Sequence, residues 1–171
     1  MKRRVAITGV GLVTPCGNDV ATTWDALLKG RSGAAPITLF DARGFSTRIA
    51  AEVKGFDESV IEADRKVLKF ANRSHKFAVS AAEQAFRDAG ILPTSETAER
   101  WSCAVGTGMM GVDYADLAAV HRHSAASGEL DAKALLSDPV AANPLVFCRS
   151  QSTAGMSLLT RRFGIRGYAT S

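Results

Sequence analysis

Cysteine is scarce: Cys16, Cys103 and Cys148 form an odd set with no CxxC spacing. Such a set argues against a disulfide framework and a cysteine-based zinc site, and it suits a reducing compartment, so the cytoplasm is the expected location. No apolar run approaches the ~20 residues that span a bilayer. The opening Met1-Lys2-Arg3-Arg4 is basic, but the following VAITGVGLVTP is broken by Gly9, Gly11 and Pro15 and has no small-residue cleavage site, which argues against a secretory signal. GxxxxGK[ST] does not occur, which removes the P-loop reading. Acids are missing from residues 65–82, where Arg65, Lys66, Lys69, Arg73, His75 and Lys76 stand together. That stretch reads either as a solvated helix face or as a patch for an acidic partner. The overall charge of +4 is too small to argue for nucleic acid.

What is present is ordinary for a globular domain: 46% hydrophobic and 22% charged residues over 171 positions, enough to build a core. Residues 3–13 read as a buried strand entering a Gly-rich turn. A helix follows, with Asn18 as the expected N-cap, an apolar stripe of Trp24, Leu27 and Leu28, and Gly30 as the stop. Residues 30–45 carry loop punctuation, and a short strand is expected near 48–53. The longest helix is expected over about 65–89, with Phe70, Phe77, Ala81 and Ala85 at helical spacing and Gly90 closing it in the left-handed region. Residues 102–105 form a short strand that delivers GTGMMG. Another helical piece begins at Tyr114, and a polar connection leads to Asn143-Pro144, a strong helix start. That helix is expected to run to about Arg162 and stop at Gly164. The alternation of strand and helix predicts an α/β fold with a partly parallel sheet.

No catalytic set is complete on this evidence. TGVGLVTP supplies Gly9 and Gly11 of a dinucleotide fingerprint, but Thr14 stands where the third glycine belongs. His121 and His123 are two apart, so a helix points them to different sides, and they read as an exposed polar pair. Cys103 lies in an apolar strand, where a thiol is usually inert. Neither Cys16 nor Cys148 sits at a helix N-terminus that would activate it. Ser152 and Ser157 read as small helix-packing residues without a GxSxG context.

The string RRVAITGVGLVTPCGNDVATTWDALLKGRSG resembles the opening of elongating β-ketoacyl-acyl-carrier-protein synthases, with VxITGxG, then TPxGN, then a helix with Trp and LLxGxSG. The likeness continues through FDARGFSTRIAAEVKGFD, AAEQAFRDAG, VGTGMMG and FGIRG. It implies a thiolase-like αβαβα layered fold of the α/β class, of which residues 1–171 are part of the N-terminal half. It also implies decarboxylative Claisen condensation without metal or nucleotide cofactor, in fatty acid or polyketide assembly. The family's nucleophilic cysteine follows its Gly-Arg-Gly strand at the N-terminus of a buried helix, so it is expected just after Ser171. No catalytic residue then lies within the chain, and the 171 residues alone are expected to be inactive and insoluble or molten. Met109 falls at the family's apolar acyl-pocket gate, and Met110, beside it in the pocket, stands where the family usually has glycine, a departure expected to narrow or rigidify the loop. Arg65, Lys66 and Lys69 match the ridge that docks the acidic acyl carrier protein. The resemblance further implies a homodimer, or a heterodimer with a chain-length factor, and no nucleic-acid or membrane partner. Tyr168 stands where the family has proline.

Overall fold

Residues 4–59, 69–108, 111–123, 128–139, 141 and 143–171 are described by the structure, a computed structural model. The chain falls into two units, Met1–Val60 with Phe77–Leu92, and Ile61–Lys76 with Pro93–Ser171.

In the first unit, helix α1 spans Val20–Leu28. Its N-cap is Asp19 rather than the expected Asn18: the Asp19 carboxylate accepts from the Thr22 N–H at 2.7 Å and from the Thr22 hydroxyl at 2.8 Å. Those two donors hold the Asp19 carboxyl below its ordinary range. Asn18 is used elsewhere. Its side-chain amide donates to the carbonyls of Lys54 and Gly55 at 2.9 and 3.0 Å, anchoring a loop far away in sequence. An antiparallel pair joins residues 30–45, read as loop, to the short strand expected near 48–53. Strand β1, Ala34–Pro36, lies against β2, Ile49–Ala51, with Ala35 opposite Ala50. Pro36 is tolerated because it sits at the end of a short edge strand. Beyond that pair, the Glu52 carboxylate accepts from the Thr38 N–H and hydroxyl and the Leu39 N–H, which lowers its pKa, chiefly through the hydroxyl.

Residues 4–13, expected as a buried strand, form neither helix nor strand, and among the described residues they pair with no strand. Helix α2, Arg73–Ala89, supports them instead. The Val10 N–H donates to the Asp88 carboxylate at 3.0 Å and the Leu12 N–H to the Gln84 side-chain carbonyl at 3.2 Å. Gly9 and Gly11 allow this approach. A Cβ at Gly11 would lie 1.9 Å from the Ala81 carbonyl oxygen, and one at Gly9 would lie 2.2 Å from that of Ala85. The two glycines of the incomplete dinucleotide fingerprint thus admit a helix backbone, and the alanines expected to mark close approach on α2 do so. Val5 and Ile7 remain 96% and 87% exposed. Gly90 closes α2 with φ of +67°, as its position suggested.

In the second unit, β3, Cys103–Ala104, pairs in parallel with β4, Ala169–Thr170. Between them come α3, Tyr114–His121; α4, Ala132–Ser137; α5, Pro144–Ser150; and α6, Thr153–Phe163. Asn143 caps α5 through its side chain, which accepts from the Leu145 N–H, and Gly164 ends α6 with φ of +68°. Both were legible. The single helix expected over this span is broken, however, because Gln151 adopts extended backbone between α5 and α6. Ser152 and Ser157, expected as helix-packing residues, are exposed. Helix α6 lies against β3 and β4, burying Leu158, and Cys103 is buried in β3. The FGIRG turn docks on the 3-10 turn Ala98–Arg100. The Arg166 N–H donates to the Ala98 carbonyl and the Gly167 N–H to that of Trp101, both at 3.0 Å. A Cβ at Gly167 would sit 2.3 Å from the Trp101 oxygen, so the turn requires glycine there.

Candidate functional site

The Gly-rich loop that follows β3 is held at both ends. On its N-terminal side the sheet continues, with the Cys103 N–H donating to the Tyr168 carbonyl at 2.9 Å and the Val105 N–H to that of Thr170 at 3.0 Å. Gly106 and Gly108 have no positive φ, and a Cβ at either would meet nothing within 4 Å among the described residues. Packing within the described chain therefore does not demand glycine at these two positions. Gly111 differs, because a Cβ there would lie 2.9 Å from the side-chain nitrogen of Asn72.

Asn72 is only 6% exposed and immediately precedes α2. Its side-chain carbonyl accepts from the His75 N–H at 3.0 Å and from the Ser74 hydroxyl at 2.7 Å. In return, the His75 Nδ1 accepts from the Asn72 N–H at 3.2 Å. This is a reciprocal cap, with histidine in the place usually taken by Glu or Gln. An accepting Nδ1 puts the proton of the neutral ring on Nε2. Burial lowers the His75 pKa, partly opposed by the Asp113 carboxylate. The ring lies against α6 at Gly155, where a Cβ would come within 3.0 Å of it.

The other end of the Asn72 amide faces two carbonyls, those of Gly111 and Arg149, each at 3.5 Å. Arg149, near the end of α5, turns its guanidinium to α3. Its Nε donates to the Asp116 carboxylate at 3.1 Å, its Nη2 to the same oxygen, and Asp113 lies 3.9 Å away. The loop's exit, the start of α3 and the end of α5 are thus joined through Asn72 and Arg149. Sequence reading passed over Asn72 because it ran the helix from about residue 65 straight through it. The available signal was an Asn three residues before a potential acceptor, ahead of an amphipathic run.

Met109, Met110, Arg65 and Lys66 lie outside the described residues. Lys69 is exposed, with its ammonium 5.0 Å from the centre of the Phe70 ring. His121 is exposed, but His123 is not the exposed residue expected: its Nε2 lies 2.8 Å from the Asp138 carboxylate, and both side chains are mostly covered. Burial raises the Cys103 thiol pKa, the opposite of what a nucleophile needs. Among the described residues, no group of three or more His, Cys, Asp or Glu could hold a metal ion, and no helix is long and apolar enough to cross a membrane.

Comparison with known proteins gives a consistent result. The family model described as "Beta-ketoacyl synthase, N-terminal domain" matches residues 2–171. The 3-oxoacyl-[acyl-carrier-protein] synthase 2 of Coxiella burnetii is 44% identical over 113 residues, covering 66% of this chain and 27% of that protein. The chain therefore spans about a quarter of the length of the curated relatives it matches. Among solved structures, the ishigamide ketosynthase/chain length factor superimposes with a TM-score of 0.73 at 28% identity, over 100% of this chain and 40% of that one. A type II polyketide ketosynthase in complex with its acyl carrier protein shares the fold, with a TM-score of 0.69 at 18% identity over 100% of this chain and 43% of that one.

Proposed function

The chain belongs to the β-ketoacyl synthase family as its N-terminal domain, and from that premise we propose that the complete protein is a 3-oxoacyl-acyl-carrier-protein synthase of fatty acid or polyketide assembly. An acyl group passes from a carrier-protein thioester to a cysteine thiolate, releasing the carrier thiol. Malonyl-carrier protein then loses carbon dioxide, and its enolate attacks the acyl-cysteine carbonyl, freeing the thiolate. The family's cysteine motif follows the strand after FGIRG, so residues 1–171 supply scaffold, acyl-pocket loop and docking surface. The observation that carries this reading is the unbroken family match over residues 2–171. It is supported by the thiolase-like arrangement in which the FGIRG turn feeds β4 beside β3.

In this reading Met109 gates the acyl pocket, where a flexible thioether suits a side chain that moves aside for a long chain, and Met110 narrows the same pocket. Arg65, Lys66 and Lys69 dock the acidic carrier protein. Two copies pair, or one copy pairs with a chain-length factor. The likeness to a ketosynthase/chain length factor structure keeps a second reading open, a non-catalytic partner subunit.

The test is to incubate the purified complete gene product with acyl- and malonyl-carrier protein and follow the products by mass spectrometry. β-Ketoacyl-carrier protein with carbon dioxide release supports the synthase. No product alone, but product when a ketosynthase subunit is added, supports the partner subunit. No product in either case refutes both. Docking is tested separately by Lys66→Glu with Lys69→Glu, which should weaken carrier-protein binding most at low ionic strength. Unchanged affinity would dispose of that assignment.

A further inference from the structure

We infer that His75 is an acid-triggered release that frees the start of α2 from the start of α6. The ring keeps its place by accepting a hydrogen bond. Its Nδ1 takes the Asn72 N–H at 3.2 Å, while the Asn72 side-chain oxygen takes the His75 N–H at 3.0 Å. In the usual reciprocal cap this position holds Glu or Gln, whose oxygen accepts throughout the neutral range. Histidine accepts only while its ring is neutral. A proton on Nδ1 turns that acceptor into a donor aimed at another donor, and the cap can no longer close.

The ring has no room to adjust in place. His75 is 8% exposed, and α6 lies against it, where a Cβ at Gly155 would come 3.0 Å from its Cδ2 and 3.5 Å from its Nε2. The charges around the ring give a new proton little support. On its own helix Arg73 and Lys76 flank it. From the α3 side the Asp113 carboxylate faces it, but the Arg149 guanidinium, 3.9 Å from Asp113, draws on the same negative charge. Asp116 is committed to Arg149. On α6 there is no titratable side chain from Gln151 to Thr160. An imidazolium formed here is buried and poorly compensated, and it is relieved when the ring swings out. The Asn72 N–H is then freed, and α6 loses the surface on which Gly155 rests. Opening therefore takes up one proton and grows easier as pH falls. The release is local to residues 72–76 and the start of α6, and it stands whether or not the synthase reading holds.

The experiment follows amide hydrogen exchange in the complete gene product from about pH 8 to about pH 5, the range in which histidine changes charge. Exchange is expressed as protection factors, which removes its intrinsic pH dependence. Wild type is compared with His75→Gln, which restores the ordinary cap and cannot take up the proton. In the wild type, protection in peptides covering residues 72–76 and 153–158 should fall below about pH 6.5 by up to about tenfold per pH unit, the limit set by one proton. Peptides covering residues 98–104 should not follow, and His75→Gln should stay flat. A flat wild type, an equal fall in His75→Gln, or a fall shared by residues 98–104 overturns the inference. Deuterium uptake at the histidine ring carbon, read peptide by peptide, gives the His75 midpoint without any variant. A midpoint at or above about 6.5, the value of a free histidine, also overturns it.

Discussion

Replacing Gly11 by alanine tests the packing that seats residues 4–13 on α2. The added methyl would lie 1.9 Å from the Ala81 carbonyl oxygen and 2.8 Å from both the Ala85 nitrogen and the Gln84 Cβ. Comfortable contact needs about 3.5 Å or more, so the segment must retreat from the helix by more than an ångström. Neither side can yield cheaply, since the obstacle is helix backbone. Overpacking of this kind costs about 1–3 kcal/mol. The retreat also breaks the Leu12–Gln84 hydrogen bond, held at 3.2 Å in a half-buried setting, for about 1 kcal/mol more. A total of about 3 kcal/mol lowers the melting temperature of a cooperative protein of the relatives' length, about 400 residues, by roughly 3–4 °C. The assay is thermal unfolding of the complete gene product, with Gly44→Ala as control. Gly44 has no positive φ and, among the described residues, no atom within 4 Å of its Cβ position, so that variant should melt with the wild type. If Gly11→Ala melts with the control, the segment does not lie on α2 in the register described.

Two further predictions concern the second unit. His75 has a folded-state pKa below 6.5. The unfolded chain therefore takes up a proton that the folded one resists, and this contribution to stability is present above about 6.5 and lost as pH falls through the lower folded value. Denaturation midpoints should drop on acidification more steeply in the wild type than in His75→Asn, whose amide oxygen can still accept from the Asn72 N–H. Equal slopes would show that His75 is not held neutral. Gly108→Ala should leave the melting temperature unchanged or slightly raised, because neither φ nor packing among the described residues forbids a methyl, while kcat/KM for long acyl primers falls. A drop of several degrees would contradict the loop geometry.

Local signals were read well where the chain settles its own conformation. Gly90 and Gly164 adopt the left-handed caps that their positions demanded, and Asn143 caps α5 as an Asn-Pro pair should. Cys103 is buried in the short strand where its apolar neighbours placed it. The misreadings share a different cause. Asn18 is a good cap by type, but carbonyls 36 and 37 residues away claim its amide, and Asp19 takes the cap. Strand β1 is three residues long and contains Pro36, so only its partner reveals it. The break at Gln151 carries neither glycine nor proline. Asn72 hid inside an uninterrupted helical pattern, and its contacts with Gly111 and Arg149 span 39 and 77 residues. The family could be recognised because its motifs are themselves local strings, whereas the clamp around the loop exists only once the chain has folded.

Gln84 offers a last consequence. Its side-chain oxygen accepts from the Leu12 N–H, and its nitrogen donates to the Asn18 carbonyl at 2.8 Å. One carboxamide therefore bonds the backbone at both Leu12 and Asn18 and fixes the span between them. The Thr-Pro-Cys-Gly excursion between them cannot gain or lose a residue without forfeiting one of the two bonds. Glutamate, the nearest isostere, would satisfy only the amide proton and set its charge against a carbonyl. The length of that turn is thus written in a helix more than sixty residues downstream, and insertions there should be tolerated only when position 84 changes as well.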